Sequence, residues 1–193
     1  MWRIFSLAKS IVASAAVTVV FSLPSTGQQA ADQATYATKL DDLFAQLQKP
    51  TVNSDEAEAA IMDIWSRSGS ASMDLLLERG YAAMEAQDWD SAIGFFTALT
   101  DHAPDFAEGW NARATAYFNA GLIGPSVADI QTTLALEPRH FGAMMGLALI
   151  LEQVGDPEGA LEVWRQVATL VPHDAQVREA IDRLGHMSDG RTL

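Results

Sequence analysis

Residues 104–138 decide the fold, and they read PDFAEGWNARATAYFNAGLIGPSVADIQTTLALEP. The prolines at the two ends of this stretch are followed by a third at the same distance, so that Pro104, Pro138 and Pro172 recur at an interval of 34 residues. Such a period indicates a repeat protein, in which one small unit cannot bury its apolar face alone and stacks on its neighbours. Residues 73–172 are therefore predicted to fold as three stacked units.

Each unit divides into two segments with apolar residues at helical spacing, joined by a turn. Pro125 in the second unit, and Pro157 after the capping residue Asp156 in the third, are predicted at the first position of the second helix. Three sets of residues keep the 34-residue interval, two of small side chains and one of large apolar side chains: Gly80, Ala114 and Ala148; Ala92, Ser126 and Ala160; Phe96, Ile130 and Trp164. Small side chains allow two helix axes to approach to about 8–10 Å, whereas larger ones push the axes apart. Each unit is therefore predicted to be a pair of closely packed helices.

Two segments flank the repeated region. Residues 37–70 show two amphipathic helical patterns separated at Pro50, without the small and proline positions of the later units. They predict a helical hairpin that is either a cap for the array or a degenerate repeat, because a solenoid needs a distinct unit at each end. Residues 174–185 are predicted to form a C-terminal capping helix, and residues 186–193 a flexible tail.

The N-terminus has the pattern of an export signal. Arg3 and Lys9 are followed by an apolar run over residues 11–23, which is shorter than the about 20 residues that span a bilayer. We therefore predict a signal peptide over residues 1–27, a polar spacer over residues 28–36 and a periplasmic location. An uncleaved anchor in the inner membrane is the alternative interpretation.

The composition excludes several classes of function. The chain has 12 basic and 25 acidic residues and a formal net charge of −13. Nucleic acid is not an expected partner, because its phosphates require clustered Lys and Arg, and no basic stripe favours an anionic membrane surface. The chain has no cysteine, which excludes disulfides, thiolate metal sites and cysteine nucleophiles.

The sequence contains no recognisable catalytic, cofactor-binding or metal-binding arrangement. Gly-rich phosphate loops and the zinc-protease motif are absent. His102, His140 and His173 recur in linkers, but at unequal intervals of 38 and 33 residues. They are predicted to be solvated, because a metal site needs three or four convergent ligands. The protein is therefore expected not to be an enzyme and to need no cofactor.

The repeating positions resemble those of the tetratricopeptide (TPR) repeat. The second unit has the family's residues at Trp110, Ala114, Tyr117 and Pro138. The first and third units match at Gly80, Ala92, Phe96 and Pro104, and at Ala148, Gly155, Ala160, Trp164 and Pro172. Ala83 and Leu151 stand where the family usually has Tyr. The resemblance implies repeats at 73–106, 107–140 and 141–173 in an all-α, right-handed solenoid of stacked helical hairpins.

The same resemblance implies a concave groove lined by the first helix of each repeat, where members of the family bind a protein or peptide. By register, the candidate groove residues are Tyr81, Met84, Asn111, Thr115, Phe118, Asn119 and Met145. Aromatic and Met side chains are enriched in binding patches, although apolar groove residues can also pack between repeats. These positions hold no Lys or Arg, so an apolar or basic segment is expected rather than a C-terminal carboxylate.

Together these features predict an exported, non-catalytic TPR scaffold or adaptor that binds a protein or peptide in its groove. A structural subunit of an envelope complex, or a self-associating assembly factor, is the alternative. The two functions differ in one measurable property, since only a self-associating protein changes its oligomeric size with concentration.

Overall fold

The computed structural model describes residues 26–50 and 54–189, which form nine α-helices and no strand. The helices are α1 (Thr26–Leu47), α2 (Ser54–Trp65), α3 (Ala71–Glu85), α4 (Trp89–His102), α5 (Ala107–Asn119), α6 (Ile123–Leu136), α7 (Phe141–Gln153), α8 (Pro157–Leu170) and α9 (Ala175–Asp189). Among these described helices, none combines the length and the apolar character needed to cross a membrane. The chain divides into two compact units. All the packing described below lies within the second unit, Tyr36–Leu193, and the start of α1 belongs to the first.

The predicted array of helical hairpins is confirmed. Helices α3 and α4, α5 and α6, and α7 and α8 pack as pairs, and the second helix of each pair packs on the first helix of the next, with α9 following α8. Phe96, Ile130 and Trp164, the large apolar set of the sequence period, are all buried at the centre of their pairs. The 34-residue period therefore corresponds to one helical hairpin of the array.

The small residues allow the two helices of a pair to approach closely. A Cβ atom placed on Gly80 of α3 would overlap the ring of Phe96 on α4, which is fully buried. In the second pair, the buried hydroxyl of Ser126 on α6 donates a hydrogen bond of 2.8 Å to the backbone carbonyl of Ala114 on α5. Gly80 thus leaves room for the opposite helix, and Ser126 bonds to it.

The turns inside the three pairs share one backbone conformation. Gln87, Gly121 and Gly155 all have positive φ, at 57°, 77° and 84°, and they are separated by 34 residues. Glycine adopts this left-handed conformation readily, whereas it is uncommon for a residue with a side chain such as Gln87. The sequence period therefore extends to the turn geometry.

The helix starts agree with the sequence expectation in one pair and differ in another. Asp156 caps α8 by accepting a hydrogen bond from the backbone of Gly159, and Pro157 is the first helical residue, as predicted. Pro125, predicted at the first position of its helix, lies at the third, because α6 begins at Ile123. Proline is tolerated there because the first four N–H groups of a helix have no partner within the helix.

The hairpin formed by the end of α1 and by α2 packs against the third repeat. Phe44 of α1 and Trp65 of α2 contact the ring of Phe141 on α7, with centroid distances of 6.5 and 5.2 Å. The side chain of Gln48 donates to the carbonyls of Thr169 and Leu170 at the end of α8, at 3.2 Å each. The sequence predicted a cap or a degenerate repeat, and the structure places this hairpin on a repeat that is distant in the chain.

Helix α2 runs along the edge where the first helices of the repeats begin. Its first turns lie beside Asp174, which precedes α9; its last residue, Trp65, stacks on His140, which precedes α7. The linker after α2 then bonds through Ser68 to Asp74 in the first turn of α3. The hairpin therefore forms a strap across the array, and we use this name for the described residues 36–50 and 54–65.

Two predicted boundaries also differ. Helix α1 begins at Thr26, so the predicted spacer over residues 28–36 is helical, since its alanines favour a helix. Helix α9 continues through Gly185 to Asp189, because one glycine costs a helix only about 1 kcal/mol. Residues 1–25 of the predicted signal peptide and residues 190–193 of the predicted tail lie outside the described residues.

Two glycine substitutions test the close approach of the helices. Gly80→Ala should lower the free energy of unfolding by about 1–3 kcal/mol, because the added methyl group overlaps the ring of Phe96. Gly94→Ala is the matched control, since a Cβ at this exposed position of α4 meets no atom within 4 Å, and it should raise stability by about 0.5–1 kcal/mol. Urea unfolding measures both, and equal effects would contradict the proposed packing.

Candidate groove between α5 and α7

An apolar pocket lies between the first helices of the second and third repeats. It has a volume of about 210 Å³. Its walls are formed by Asn111, Thr115 and Phe118 of α5 and by Met145, Gly146, Leu149 and Ile150 of α7, and its floor includes Ala114, Ser126 and Ile130. The floor therefore combines two small residues of the period, Ala114 and Ser126, with Ile130 of its large apolar set.

The structure brings four of the seven predicted groove residues together in this pocket, namely Asn111, Thr115, Phe118 and Met145. Asn119 is exposed at the end of α5, where its amide donates to the carbonyl of Thr115 at 2.8 Å. Met84 packs against the core of the first repeat. Tyr81 lies in a separate depression on α3. The predicted groove is thus divided between two depressions.

A buried carboxylate separates these two depressions. Glu108 of α5 is 2 % exposed and accepts hydrogen bonds from the hydroxyl of Tyr81, from the amide of Asn111 at 3.2 Å and from His140 at 2.8 Å. Burial, followed by the charge of Glu108 and their hydrogen bond, raises the pKa of Tyr81 above its usual value. The hydroxyl of Tyr81 is therefore already committed within the protein.

The protonation of His140 follows from its two partners. Its Nδ1 atom accepts a hydrogen bond of 3.2 Å from the backbone N–H of Ala143, where it caps α7. A neutral imidazole with an acceptor at Nδ1 carries its proton on Nε2, and Nε2 is the atom that faces Glu108 at 2.8 Å. The prediction that His140 is solvated is wrong, because its side chain is fully buried.

The strap covers this end of the groove. The ring of Trp65 stacks on His140 with a centroid distance of 4.3 Å and an interplanar angle of 14°, and Trp65 is itself 4 % exposed. Tyr81, Glu108, His140 and Trp65 therefore form one continuous chain of contacts from the first repeat to the strap. Repeat register predicts Glu108 in the groove, because it occupies the same repeat position as Asp74. Sequence analysis did not assign His140 or Trp65 to the groove.

The depression on α3 is acidic. Its lining consists of Asp74, Leu77, Glu78, Tyr81, Ala82 and Glu85, with Ser66 of the linker after α2. Asp74 accepts hydrogen bonds from the backbone N–H and the hydroxyl of Ser68, at 2.8 and 2.6 Å. Glu78 and Glu85 are exposed to solvent. A ligand that extends along the groove from the apolar pocket would therefore meet negative charge at α3.

The arginine of α5 is engaged in the structure. Arg113 of α5 forms two hydrogen bonds to Asp129 of α6, at 2.7 and 3.0 Å, and a third to Thr100 of α4 at 2.8 Å. Its guanidinium also lies 4.7 Å from the ring centre of Trp110. The hydrogen bond to Asp129 raises the pKa of Arg113. Arg113 therefore joins three helices and is not presented to a ligand.

The described residues contain no group of three or more His, Cys, Asp or Glu side chains that could hold a metal ion. His102 is exposed at the end of α4, and His173 lies between α8 and α9. These two histidines and His140 do not form a common site, because His140 is already bonded to Glu108 and to Ala143.

Comparison with known proteins gives one family. The sequence profile of the tetratricopeptide repeat matches residues 77–124 and 111–175. A TPR repeat-containing protein of Rhizobium etli is 31% identical over 198 residues, covering 97% of this chain and 97% of its own length.

Two solved structures show a similar fold. The first TPR domain of Spaghetti (RPAP3), bound to an HSP90 peptide, superposes with a TM-score of 0.57 at 20% identity, over 61% of this chain and 93% of that domain. The TPR2B domain of yeast Sti1, in its pHsp70 complex, superposes with a TM-score of 0.55 at 23% identity, over 63% of this chain and 99% of that domain.

The buried carboxylate gives a prediction for stability. Tyr81→Phe removes a hydroxyl that bonds to Glu108, and it should lower the free energy of unfolding by about 1.5–3 kcal/mol, the usual range for a hydrogen bond to a charged group. Tyr117→Phe is the control, since the hydroxyl of Tyr117 bonds no described residue, and it should change stability by less than about 0.5 kcal/mol. Thermal and urea unfolding of both variants check this. Equal stability of the two would mean that Tyr81 and Glu108 do not interact in solution.

Proposed function

Because this chain belongs to the tetratricopeptide repeat family, we propose that it is a non-catalytic scaffold that binds a protein or peptide in the pocket between α5 and α7. The observation that carries the proposal is the pocket itself, in which Phe118, Met145 and Leu149 surround an apolar space that no other described side chain fills. Residues of this kind are enriched at the centre of protein interfaces.

The structural neighbours support the same kind of ligand. The TPR domain of Spaghetti (RPAP3) is bound to an HSP90 peptide and that of yeast Sti1 is in a pHsp70 complex. By analogy, an extended peptide would lie along the first helices of the repeats. Its backbone would hydrogen-bond to Asn111 or Asn119, and one apolar side chain would enter the pocket.

The charges along the groove favour an apolar or basic segment as the partner. Asp74, Glu78 and Glu85 line the depression on α3, and the chain carries a formal net charge of −13. Arg113 is occupied by Asp129 and Thr100 and so does not offer a clamp for a carboxylate. A segment with a basic residue beside an apolar one fits both depressions.

The pocket is tested by a double substitution. Phe118→Ala with Met145→Ala should weaken binding of captured partners at least about tenfold, because it removes two of the large side chains that line the pocket. Leu122→Ala with Val154→Ala is the matched control, since these exposed apolar residues lie outside the pocket. The measurement is quantitative mass spectrometry of proteins retained by each variant, followed by titration of the strongest partner.

Two outcomes of this experiment would contradict the proposal. Equal retention by the pocket variant and by the control would place the binding surface elsewhere. The alternative of a self-associating assembly factor would be favoured if the oligomeric size of the unsubstituted protein rises with its concentration, and if the pocket substitutions, but not the control substitutions, abolish that rise.

We propose in addition that the protein is exported to the periplasm and that residues 1–27 are cleaved from it as a signal peptide. The support is the sequence pattern alone, with Arg3 and Lys9 before an apolar run of 13 residues over 11–23. Mass spectrometry of the protein from an envelope fraction should find an N-terminus close to Gln28. Deletion of residues 2–23 should leave the protein in the cytoplasm. An intact N-terminus in a washed membrane fraction would support an inner-membrane anchor instead.

A further inference from the structure

We propose that the strap is a hinged cover that opens while the repeats stay folded, and that Glu58 controls the opening as the pH changes. When the strap opens, Trp65 leaves the ring of His140 and uncovers the end of the groove that contains Glu108 and Tyr81. This inference does not depend on the proposed partner, because it concerns the free protein alone.

The interface beneath the strap contains unsatisfied polar atoms. Where side chains are described, the buried side-chain nitrogen and oxygen atoms without a hydrogen-bond partner are Oε1 of Glu58, Nε1 of Trp65 and Nε2 of His173. The first two belong to α2, and the third lies in the turn next to Asp174, whose charge acts on Glu58. Water would satisfy all three atoms if the strap opened, and buried polar groups without partners oppose burial.

The repeats contrast with the strap in this respect. The buried polar side chains of Glu108, Ser126 and Thr133 all have hydrogen-bond partners within the array, and Arg113 is bonded to Asp129 and Thr100. The repeats therefore gain nothing comparable from contact with water. Local opening should begin at the strap.

The ion pair and the hydrogen bonds that join the strap to the array lie at the surface. Arg139 bonds Asp41 at 2.6 Å, but the two side chains are 36% and 67% exposed. Gln48, which bonds the end of α8, is also exposed. Exposed ion pairs contribute little to stability because water and salt screen them. The strap is thus held mainly by apolar contacts.

A hinge is present between the strap and the repeats. The linker between α2 and α3 contains Gly69, which has a φ of 79° and no atom within 4 Å of the place where a Cβ would be. Gly69 lies in open surroundings at the end of an element, where hinges commonly occur. Rotation of the strap about Gly69 would break the hydrogen bonds from Ser68 to Asp74 and leave the backbone hydrogen bonds within α3 intact.

The charge at Glu58 sets the direction of the pH effect. Burial, and then the charges of Asp174 and Asp55, raise the pKa of Glu58 to about 7 in the closed strap. In the open strap Glu58 is in water and has its ordinary pKa near 4.5. The closed state therefore binds the proton more tightly. Closure is most favoured below pH 4.5, weakens as the pH rises, and reaches a constant lower level above about pH 7.

The absence of cysteine from the chain allows opening to be measured at single positions. Ala57→Cys places a thiol on the buried face of the strap, and Ala116→Cys places one in the core of the repeats; the two alanines are 4% and 0% exposed. The rate of reaction of each thiol with 4,4′-dithiodipyridine, divided by its rate in denaturant at the same pH, reports the open fraction at that position.

In the full chain, the Ala57→Cys variant should react at least about tenfold faster than the Ala116→Cys variant, because the strap opens without unfolding of the repeats. Only the Ala57→Cys variant should gain several-fold in open fraction between about pH 5 and about pH 7.5. The ideal limit for one proton is about tenfold per pH unit, and the partial exposure of Glu58 reduces it. Adding Glu58→Gln to the Ala57→Cys variant should abolish the pH dependence.

Two results would overturn the proposal. Equal protection of the two thiols at every pH would mean that the strap opens only when the whole protein unfolds. A pH dependence that survives Glu58→Gln would show that Glu58 is not the controlling group. If Ala57→Cys perturbs folding, hydrogen exchange of the unsubstituted chain decides the question, since amides of α2 should exchange faster than those of α4 and α5, and equal exchange would contradict it.

Discussion

The close approach of two helices within each repeat is the constraint on which the rest of the structure depends. It requires a residue without a bulky side chain at fixed intervals, and Gly80 beneath the ring of Phe96 is the tightest instance. Because every repeat satisfies this constraint, the three hairpins have similar shapes and stack in series. Their first helices then lie side by side, and the pocket between α5 and α7 is a consequence of that arrangement.

The groove owes its form to a polar contact as well as to stacking. Glu108 joins the first repeat through Tyr81 and the start of the third through His140. A buried carboxylate needs several donors, and these donors fix the distance between neighbouring helices at this end of the groove. The other end has no such network among the residues described, and there Phe118 and Met145 face an open apolar pocket. The groove is therefore closed by the protein's own contacts at Glu108, between the acidic depression on α3 and the apolar pocket, and the two depressions are available to a ligand.

The sequence predicted the features that depend on contacts within a repeat and between adjacent repeats. The 34-residue interval was sufficient to predict the helical pairs, and the repeat register predicted the groove positions of Asn111, Thr115, Phe118 and Met145, which line the pocket. The position of the strap was not predictable, because an amphipathic pattern shows that Phe44 and Trp65 are buried but does not name their partner. The burial of His140 was missed for the same reason, since its cover comes from α2. Contacts between distant segments thus account for most of the differences.

The strap also bears on the order in which the molecule assembles. In a simple repeat array each unit touches only its neighbours, so that the ends can fray independently. Here Gln48 bonds Thr169, 121 positions further along the chain. The first helices to be synthesised are therefore covered only after nearly all the other helices have been made. A fragment that ends before α7 would lack Phe141, which both Phe44 and Trp65 contact. Premature truncation is therefore expected to produce an aggregation-prone fragment rather than a shorter, stably folded array.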